Sequence, residues 1–322
     1  MSTPTWVDII LDTPSLADAW NGVFERLREI AVSSSSPVDL HNQTVAPDRL
    51  LAETAWELWA SYPNAAPRTS SQLKKWCAAP SSIGRAVLVL DALSLREMPW
   101  LLGEAQARNI QPTDVRVTGS EAPSDTDQFA RALGVPLRSH LAGNGAPASF
   151  DLFPAKAYTD VISIPFEDSV GGIPHEPNVF VWHSWLDDLI HVHKKLPDQI
   201  YKAASTTLQD DGFWRFVDRL RQGRKLVITS DHGYAVSKLF SSEEIDPDVI
   251  EKLRENFGAA RYKESNAPWQ DRFMPPIVVS HNEHHVVMGQ RKWKVQGGFP
   301  HVCHGGLSLL EVAVPFIELP PI

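Results

Sequence analysis

The stretch KLVITSDHGYA, residues 225–235, joins an apolar run to a polar turn. The run KLVIT is typical of a buried β-strand because it is rich in apolar and β-branched residues. It stops at Ser230, and Asp231 and His232 follow side by side before Gly233. An aspartate and a histidine delivered together at a strand end raise the question of which other side chains join them.

Five further runs have the same apolar character. They are AVLVLD (86–91), DVRVT (114–118), NVFVW (178–182), PIVVS (276–280) and VAVPFI (312–317). Helical patterns lie between several of them, for example over residues 198–222. Short apolar strands that alternate with helices predict an α/β fold with a mainly parallel sheet covered by helices on both faces.

The N-terminal part of the chain has helical periodicity instead. A helix that starts near Asp48 is expected to end before Pro63, because the residue before a proline disfavours helix. Residues 63–71 then form a linker. We therefore divide the chain into an N-terminal helical region, residues 1–75, and an α/β domain, residues 76–322.

Composition narrows the class of protein. The chain has 322 residues, of which 43% are hydrophobic, so it can build a sizeable core. A formal charge of −9 argues against a broad nucleic-acid-binding surface but leaves a local basic groove open. Cys77 and Cys303 are too few for a disulfide framework. The sequence shows neither a signal peptide nor a bilayer-length apolar run, so we expect a cytoplasmic protein without a membrane partner.

Polar residues follow several of the predicted strands. Asp91 ends the first strand, WHSWLDDLIH follows NVFVW, and HVCHGGLS precedes the last strand. Ligands of open α/β sheets bind at the carboxyl ends of the strands, and carboxylate with imidazole is typical of zinc or manganese sites. Asp187 and His191 are four residues apart, so a helix would place them on one face. The predicted metal ligands are Asp91, Asp187, His191, Asp231, His232 and His304.

Each of these residues also has an ordinary structural explanation. An aspartate after a strand often caps a helix, and Asp187 with His191 could be a surface helix pair. His304 could be a loop histidine, and Asp231 with His232 could be a structural pair. The metal interpretation depends on their joint occurrence at equivalent strand ends. The histidine-rich stretch SHNEHH, residues 280–285, is interpreted as an exposed connection between two short strands.

Four motifs together resemble one family. They are VLVLDALS (87–94), VWHSWLDDLIH (181–191), VITSDHGYA (227–235) and HGGLSLLEVAVPFIEL (304–319). They resemble the PglZ domain of the alkaline phosphatase superfamily, which occurs in bacterial phage-defence loci of the BREX and Pgl kind. The resemblance covers roughly residues 80–322 and assigns nothing to residues 1–75.

The resemblance implies two divalent metal ions, with zinc as the first expectation and manganese as the second. By motif position, one ion would be held by Asp187, His191 and His304, and the other by Asp91, Asp231 and His232. Many family members have a second aspartate where this chain has His191, whereas the histidine is closer to the general superfamily pattern.

The resemblance also implies a serine or threonine nucleophile. PSDT, residues 123–126, is similar to the PSxT stretch of the family, so Thr126 is assigned as the nucleophile and Ser124 as the alternative. Many family members have DALR where this chain has DALS, so Ser94 leaves a basic contact missing.

The function implied by these motifs is a metal-dependent phosphoesterase. We expect a phosphodiesterase that acts on nucleotides or oligonucleotides in anti-phage defence, with protein partners from the defence system. The alternative is a catalytically inactive PglZ scaffold that serves as an interaction subunit, since a fold does not by itself imply a function. All six ligand positions retain residues that can bind a metal, which favours metal binding.

Overall fold

The computed structural model describes residues 5–193, 196–236, 246–270, 273, 276–291, 293–294 and 302–322. Its strands, in chain order, are β1 (Gly84–Leu90), β2 (Asp114–Gly119), β3 (Tyr158–Ile162), β4 (Asn178–His183), β5 (Arg224–Thr229), β6 (Ala235–Val236), β7 (Tyr262–Glu264), β8 (Val278–His281), β9 (His284–Val287), β10 (Val302–Cys303) and β11 (Ala313–Leu319).

The α-helices of the described residues are α1 (Trp6–Leu11), α2 (Leu16–Ser33), α3 (Pro37–Thr54), α4 (Trp56–Ala65), α5 (Thr69–Ala78), α6 (Met98–Ala107), α7 (Thr126–Ala132), α8 (Phe166–Ser169), α9 (Trp185–His193), α10 (Pro197–Gln209), α11 (Asp211–Arg221), α12 (Pro247–Phe257) and α13 (Leu309–Val312). Short 3₁₀ segments span Arg138–Asn144 and Val170–Gly172. Within this part of the chain, no helix is long and apolar enough to cross a membrane.

Six strands form the central sheet, in the order β2-β11-β5-β1-β4-β3. Strand β1 pairs in parallel with β4 and β5, and β3 pairs in parallel with β4. The last strand, β11, is antiparallel to both of its neighbours, β2 and β5. The predicted mainly parallel sheet is therefore confirmed. The run PIVVS lies elsewhere, because β8 pairs with β9 in a separate three-stranded antiparallel sheet.

Both faces of the central sheet are covered. Leu88 and Leu90 of β1 belong to a core that includes residues of α2, α10 and α11, whereas Val87 and Val89 belong to a second core with residues of α5 and α7. All four side chains are fully buried. A strand buried on both faces needs apolar residues at every position, which is why these strands were recognisable as continuous apolar runs.

The N-terminal helices are present, but their predicted boundaries were wrong. Asp48 lies within α3, which begins at Pro37, and α4 continues through Pro63 to Ala65. Most of the predicted linker 63–71 therefore belongs to α4 and α5. Tyr62 and Pro63 are buried, and this packing outweighs the hydrogen bond that a proline removes from a helix.

These helices pack against the sheet. Trp20 of α2 and Leu88 of β1 belong to the same hydrophobic core. Tyr62 of α4 donates a hydrogen bond to the Ser120 carbonyl at 2.8 Å, just beyond β2. The N-terminal helices thus share their core with the α/β part, and a domain boundary at residue 75 stays a prediction.

Candidate metal centre

Asp91, Asp231 and His232 meet at the carboxyl ends of two paired strands. Asp91 directly follows β1, and Asp231 and His232 follow β5 after one residue. Because β1 and β5 run in parallel, their ends lie side by side. Each of the three residues offers a ligand atom, and these atoms all lie within 4.8 Å of one another. All three residues are fully buried.

A second cluster adjoins the first. It contains Asp187, His232 and His304, whose ligand atoms also lie within 4.8 Å of one another. The rings of His232 and His304 stack with centroids 4.4 Å apart. His232 Nδ1 lies 2.9 Å from the Gly233 carbonyl and so donates to it, which leaves Nε2 as the free ligand atom. A single free nitrogen can bind only one ion, so His232 can complete only one of the two clusters at a time.

His191 lies at the rim of the site. Its Nε2 atom is 3.2 Å from Asp187 Oδ2, one helical turn back on α9, and its side chain is 64% exposed. Its ring centroid lies 6.4 Å from that of His304. The tight cluster around Asp187 therefore contains His232 where the motif assignment has His191. His191 contacts Asp187 without joining the second cluster.

Two buried polar atoms of the second cluster have no hydrogen-bond partner among the residues that the structure describes. They are Asp187 Oδ1 and His304 Nδ1. A buried polar group left without a partner costs about 1–3 kcal/mol, so such atoms call for a ligand. A divalent cation would satisfy both, and a set of carboxylates and imidazoles suits zinc and manganese alike. These residues fit a metal centre.

The environment of the two histidines also affects their pKa values. Burial lowers the pKa of the His304 imidazole, and the neighbouring His232 lowers it further. For His232 itself, burial also favours the neutral form, but the carboxylates of Asp231 and Asp187 outweigh that effect and raise the pKa. The two carboxylates thus favour positive charge at His232, as they would favour a bound cation.

Thr126 lies against the first cluster. It is the first residue of α7, and Asp125 caps the helix by accepting a hydrogen bond from Asp127 N at 3.0 Å. The Thr126 hydroxyl donates to Asp231 Oδ2 at 2.8 Å. The same Oγ1 atom lies 3.4 Å from Asp91 Oδ1 and 3.4 Å from His232 Nε2. The Thr126 hydroxyl thus faces all three residues of the first cluster.

Ser124, the alternative nucleophile, has a different environment. Its buried hydroxyl donates to the Gly306 carbonyl at 2.8 Å and accepts from the Gly305 amide at 3.0 Å. These bonds tie the loop after β2 to the loop that carries His304. The Thr126 hydroxyl therefore faces the first cluster, whereas the Ser124 hydroxyl joins two loops.

The glutamate of HGGLSLLE anchors that loop. Both Glu311 and Arg261 are buried, and Arg261 donates to Glu311 through Nε at 2.7 Å and Nη2 at 3.0 Å. Glu311 also accepts from Gly306 N at 3.1 Å and from the Ser308 hydroxyl at 2.6 Å. A Cβ at Gly306 would lie 2.3 Å from Arg261 Nε, so only glycine fits there.

The turn SDHG packs on the same loop. The Gly233 amide donates to the Glu311 carbonyl at 2.8 Å. A Cβ on Gly233 would lie 2.3 Å from the Leu310 carbonyl oxygen. This glycine is therefore required by the close approach of α13, and the two motifs hold each other in place.

Three residues near the ligands were not predicted from the sequence. Trp182 donates through Nε1 to Asp91 Oδ2 at 3.2 Å, and Arg138 forms an ion pair with the same oxygen. Asp125 Oδ2 lies 3.9 Å from His304 Nδ1. Trp182 could have been found at the end of NVFVW, and Asp125 beside Thr126 in PSDT. Arg138 begins the 3₁₀ segment Arg138–Asn144 and belongs to no recognised motif.

The histidine-rich stretch 280–285 does connect two strands, as predicted, and Asn282 and Glu283 at its turn are exposed, but the predicted exposure was wrong for two of its three histidines. His284 and His285 are only 7% and 4% exposed. His285 donates through Nε2 to the Ala267 carbonyl at 2.9 Å, and its Nδ1 lies 2.7 Å from the Ser280 hydroxyl. These histidines are buried parts of the hairpin β8–β9.

The sequence profile of the family described as the BREX system PglZ alkaline phosphatase-like domain matches residues 156–319. This is just over half of the chain, which therefore belongs to the PglZ family. The matched segment contains Asp187, Asp231, His232 and His304, whereas Asp91 and Thr126 precede it. No curated protein sequence matches the chain.

Solved structures with a distant likeness include two hydrolases. Phosphonoacetate hydrolase from Sinorhizobium meliloti 1021, in complex with phosphonoacetate, is 15% identical with a TM-score of 0.42, over 74% of this chain and 90% of that one. Murine ectonucleotide pyrophosphatase/phosphodiesterase 5 is 15% identical with a TM-score of 0.44, over 74% of this chain and 88% of that one.

Proposed function

We propose that this PglZ protein is a metal-dependent phosphoesterase with a two-metal site and Thr126 as its nucleophile. One observation carries the proposal: the Thr126 hydroxyl lies 2.8 Å from Asp231 Oδ2 and 3.4 Å from both Asp91 Oδ1 and His232 Nε2. A partly exposed hydroxyl at a helix start, facing three ligand-type groups, has the arrangement that nucleophilic catalysis needs.

The chain's own residues would perform a two-step displacement. Bound divalent ions would supply Lewis-acid chemistry, which lowers the pKa of the hydroxyl and polarises a phosphoryl oxygen. Asp231 Oδ2 accepts the hydrogen bond of Thr126 and orients its Oγ1 atom. As Oγ1 bonds to phosphorus, the P–O bond to the ester oxygen breaks, and that oxygen leaves with the electron pair and takes up the proton that the hydroxyl loses, so an alcohol is released. Water then breaks the Oγ1–P bond, which releases a phosphate monoester and restores the hydroxyl.

The substrate we propose is a phosphodiester, in the form of a nucleotide or oligonucleotide. The net charge of −9 disfavours tight binding of long duplexes, so short substrates are preferred. The family description refers to the BREX system, and this supports a role in anti-phage defence with protein partners from that system. We propose zinc as the metal, with manganese as the second choice. We propose that the protein acts in the cytoplasm.

The test is Thr126→Ala, assayed with a chromogenic phosphodiester and with elemental analysis of the same samples. We expect turnover to fall to background while the metal content stays at the wild-type level. Thr206→Ala serves as a matched control, because Thr206 is exposed and, within the described residues, its hydroxyl bonds only the Lys202 carbonyl of its own helix. Turnover that survives in Thr126→Ala would contradict the assignment of Thr126 as the nucleophile. A wild-type protein that binds metal but hydrolyses no substrate would instead favour the alternative function, a catalytically inactive scaffold.

A further inference from the structure

Arg138 is held in a fixed place beside the site. It opens the 3₁₀ segment Arg138–Asn144, and its Nη1 atom forms an ion pair with Asp91 Oδ2. Its guanidinium carbon lies 5.9 Å from the centroid of the Trp182 ring, within reach of a cation–π contact. Trp182 Nε1 donates to the same Asp91 oxygen at 3.2 Å. One oxygen of Asp91 is therefore engaged by two donors.

The other oxygen of Asp91 faces the predicted ligands. Asp91 Oδ1 lies 3.4 Å from Thr126 Oγ1 and 3.8 Å from His232 Nε2. An ion could thus bind through Oδ1 while Arg138 keeps Oδ2. The Asp91 carboxylate thus separates the Arg138 guanidinium from the hydroxyl of Thr126, the proposed nucleophile.

Most of the Arg138 guanidinium remains available. The group has five N–H donors, and within the described part of the chain its only hydrogen bond is the one to Asp91. The side chain is 29% exposed, so a ligand can reach it. The planar guanidinium fork matches the geometry of phosphate oxygens, and such charge-assisted pairs are the strong ones.

The arginine of the DALSLRE stretch does not offer such a contact. Arg96 is fully buried, and its Nη1 atom bonds the Tyr234 carbonyl and the Ser94 hydroxyl. The bond to Tyr234 joins Arg96 to the turn after β5, and solvent does not reach the side chain.

We infer that Arg138 is a substrate-binding residue that holds a non-bridging oxygen of the phosphoryl group attacked by Thr126. This inference rests on the proposed function and extends it. A cation fixed by Asp91 and Trp182 stabilises the charge on the phosphoryl oxygens without having to reorganise during the reaction.

The experiment uses inorganic phosphate as the probe, titrated calorimetrically into zinc-loaded full-length protein. In Arg138→Met we expect the Kd for phosphate to rise about 10- to 100-fold, as for the loss of a charged hydrogen bond, with the zinc content unchanged by elemental analysis. Arg138→Lys keeps the charge without the fork, so its Kd should fall between the two. Arg131→Met is the matched control, because the Arg131 side chain is 46% exposed and its Nη1 atom lies 3.9 Å from Glu264 Oε1.

Each other outcome overturns the inference. A phosphate Kd in Arg138→Met and Arg138→Lys equal to that of the wild type would remove Arg138 from the binding site. Loss of zinc from Arg138→Met would make Arg138 a support for Asp91 instead. A wild-type protein that binds neither zinc nor phosphate would refute the proposed function itself, whereas normal turnover with unchanged phosphate affinity in the variants would refute only the role of Arg138. Thermal melting of every variant shows that the fold is retained.

Discussion

Glu311→Gln is expected to destabilise the protein strongly. The substitution keeps the size of the side chain but removes the charge that faces Arg261, whose Nε and Nη2 atoms lie 2.7 and 3.0 Å from the two carboxylate oxygens. It also turns one acceptor into an NH₂ donor, where Gly306 N and the Ser308 hydroxyl already donate. The arginine charge would remain buried without its carboxylate.

The magnitude follows from this burial. The side chains of Arg261 and Glu311 are 4% and 0% exposed, and removing one partner of a buried ion pair costs about 3–5 kcal/mol. A typical domain has a free energy of unfolding of about 5–15 kcal/mol, so the loss is a large share of the total. Because this pair anchors the loop that carries His304, we also expect less bound metal at equilibrium.

Urea denaturation of wild type and variant measures the loss. Glu251→Gln is the matched control, since Glu251 pairs with Arg254 at 3.0 Å while the two side chains are 59% and 52% exposed. An exposed pair contributes about 0–1 kcal/mol. A loss in Glu311→Gln no larger than that of the control would refute the conclusion that this buried pair supports the loop.

Two further predictions concern the rim of the site and its helical support. His304→Ala should lower the metal content more than His191→Ala, because His191 is 64% exposed; equal losses in elemental analysis would contradict this. Burial raises the pKa of Asp48 from about 3.8 to about 7, although the Leu309 amide opposes the shift. Folded protein therefore retains a proton that the unfolded chain releases, so the stability of wild type relative to Asp48→Asn should fall as pH rises from about 4 to 7, by up to about 1.4 kcal/mol per pH unit. A stability difference that does not change with pH in denaturation series would be inconsistent with a buried, protonated Asp48.

Much of the sheet could be predicted because strands buried on both faces are continuous apolar runs. Strand β3 was missed, since Thr159 and Asp160 interrupt its apolar pattern at the edge of the sheet. The helix boundaries near Pro63 were wrong for a different reason. Local proline chemistry predicts a helix end, but the packing of Tyr62 and Pro63 against the core decides the outcome.

Only part of the site could be predicted from the sequence. Asp91 and Asp231 come together because parallel strands end at one edge. Helical spacing placed Asp187 and His191 on one face, but it could not show that His191 lies towards solvent. Arg138 could not be found, because the path of the loop that brings it to Asp91 leaves no periodic signal in the sequence.

The most direct measurement is the metal content of wild type and Asp231→Ala, purified without chelators, with a phosphodiesterase assay on the same samples. We expect about two zinc or manganese ions per chain in the wild type, as in two-metal phosphoryl-transfer sites, together with hydrolysis. Asp231→Ala should lose metal and activity together, because Asp231 contacts both Thr126 and the Ala92 amide at the centre of the site. A wild-type protein that contains no metal, and takes up none when zinc or manganese is added, would contradict the proposed metal centre.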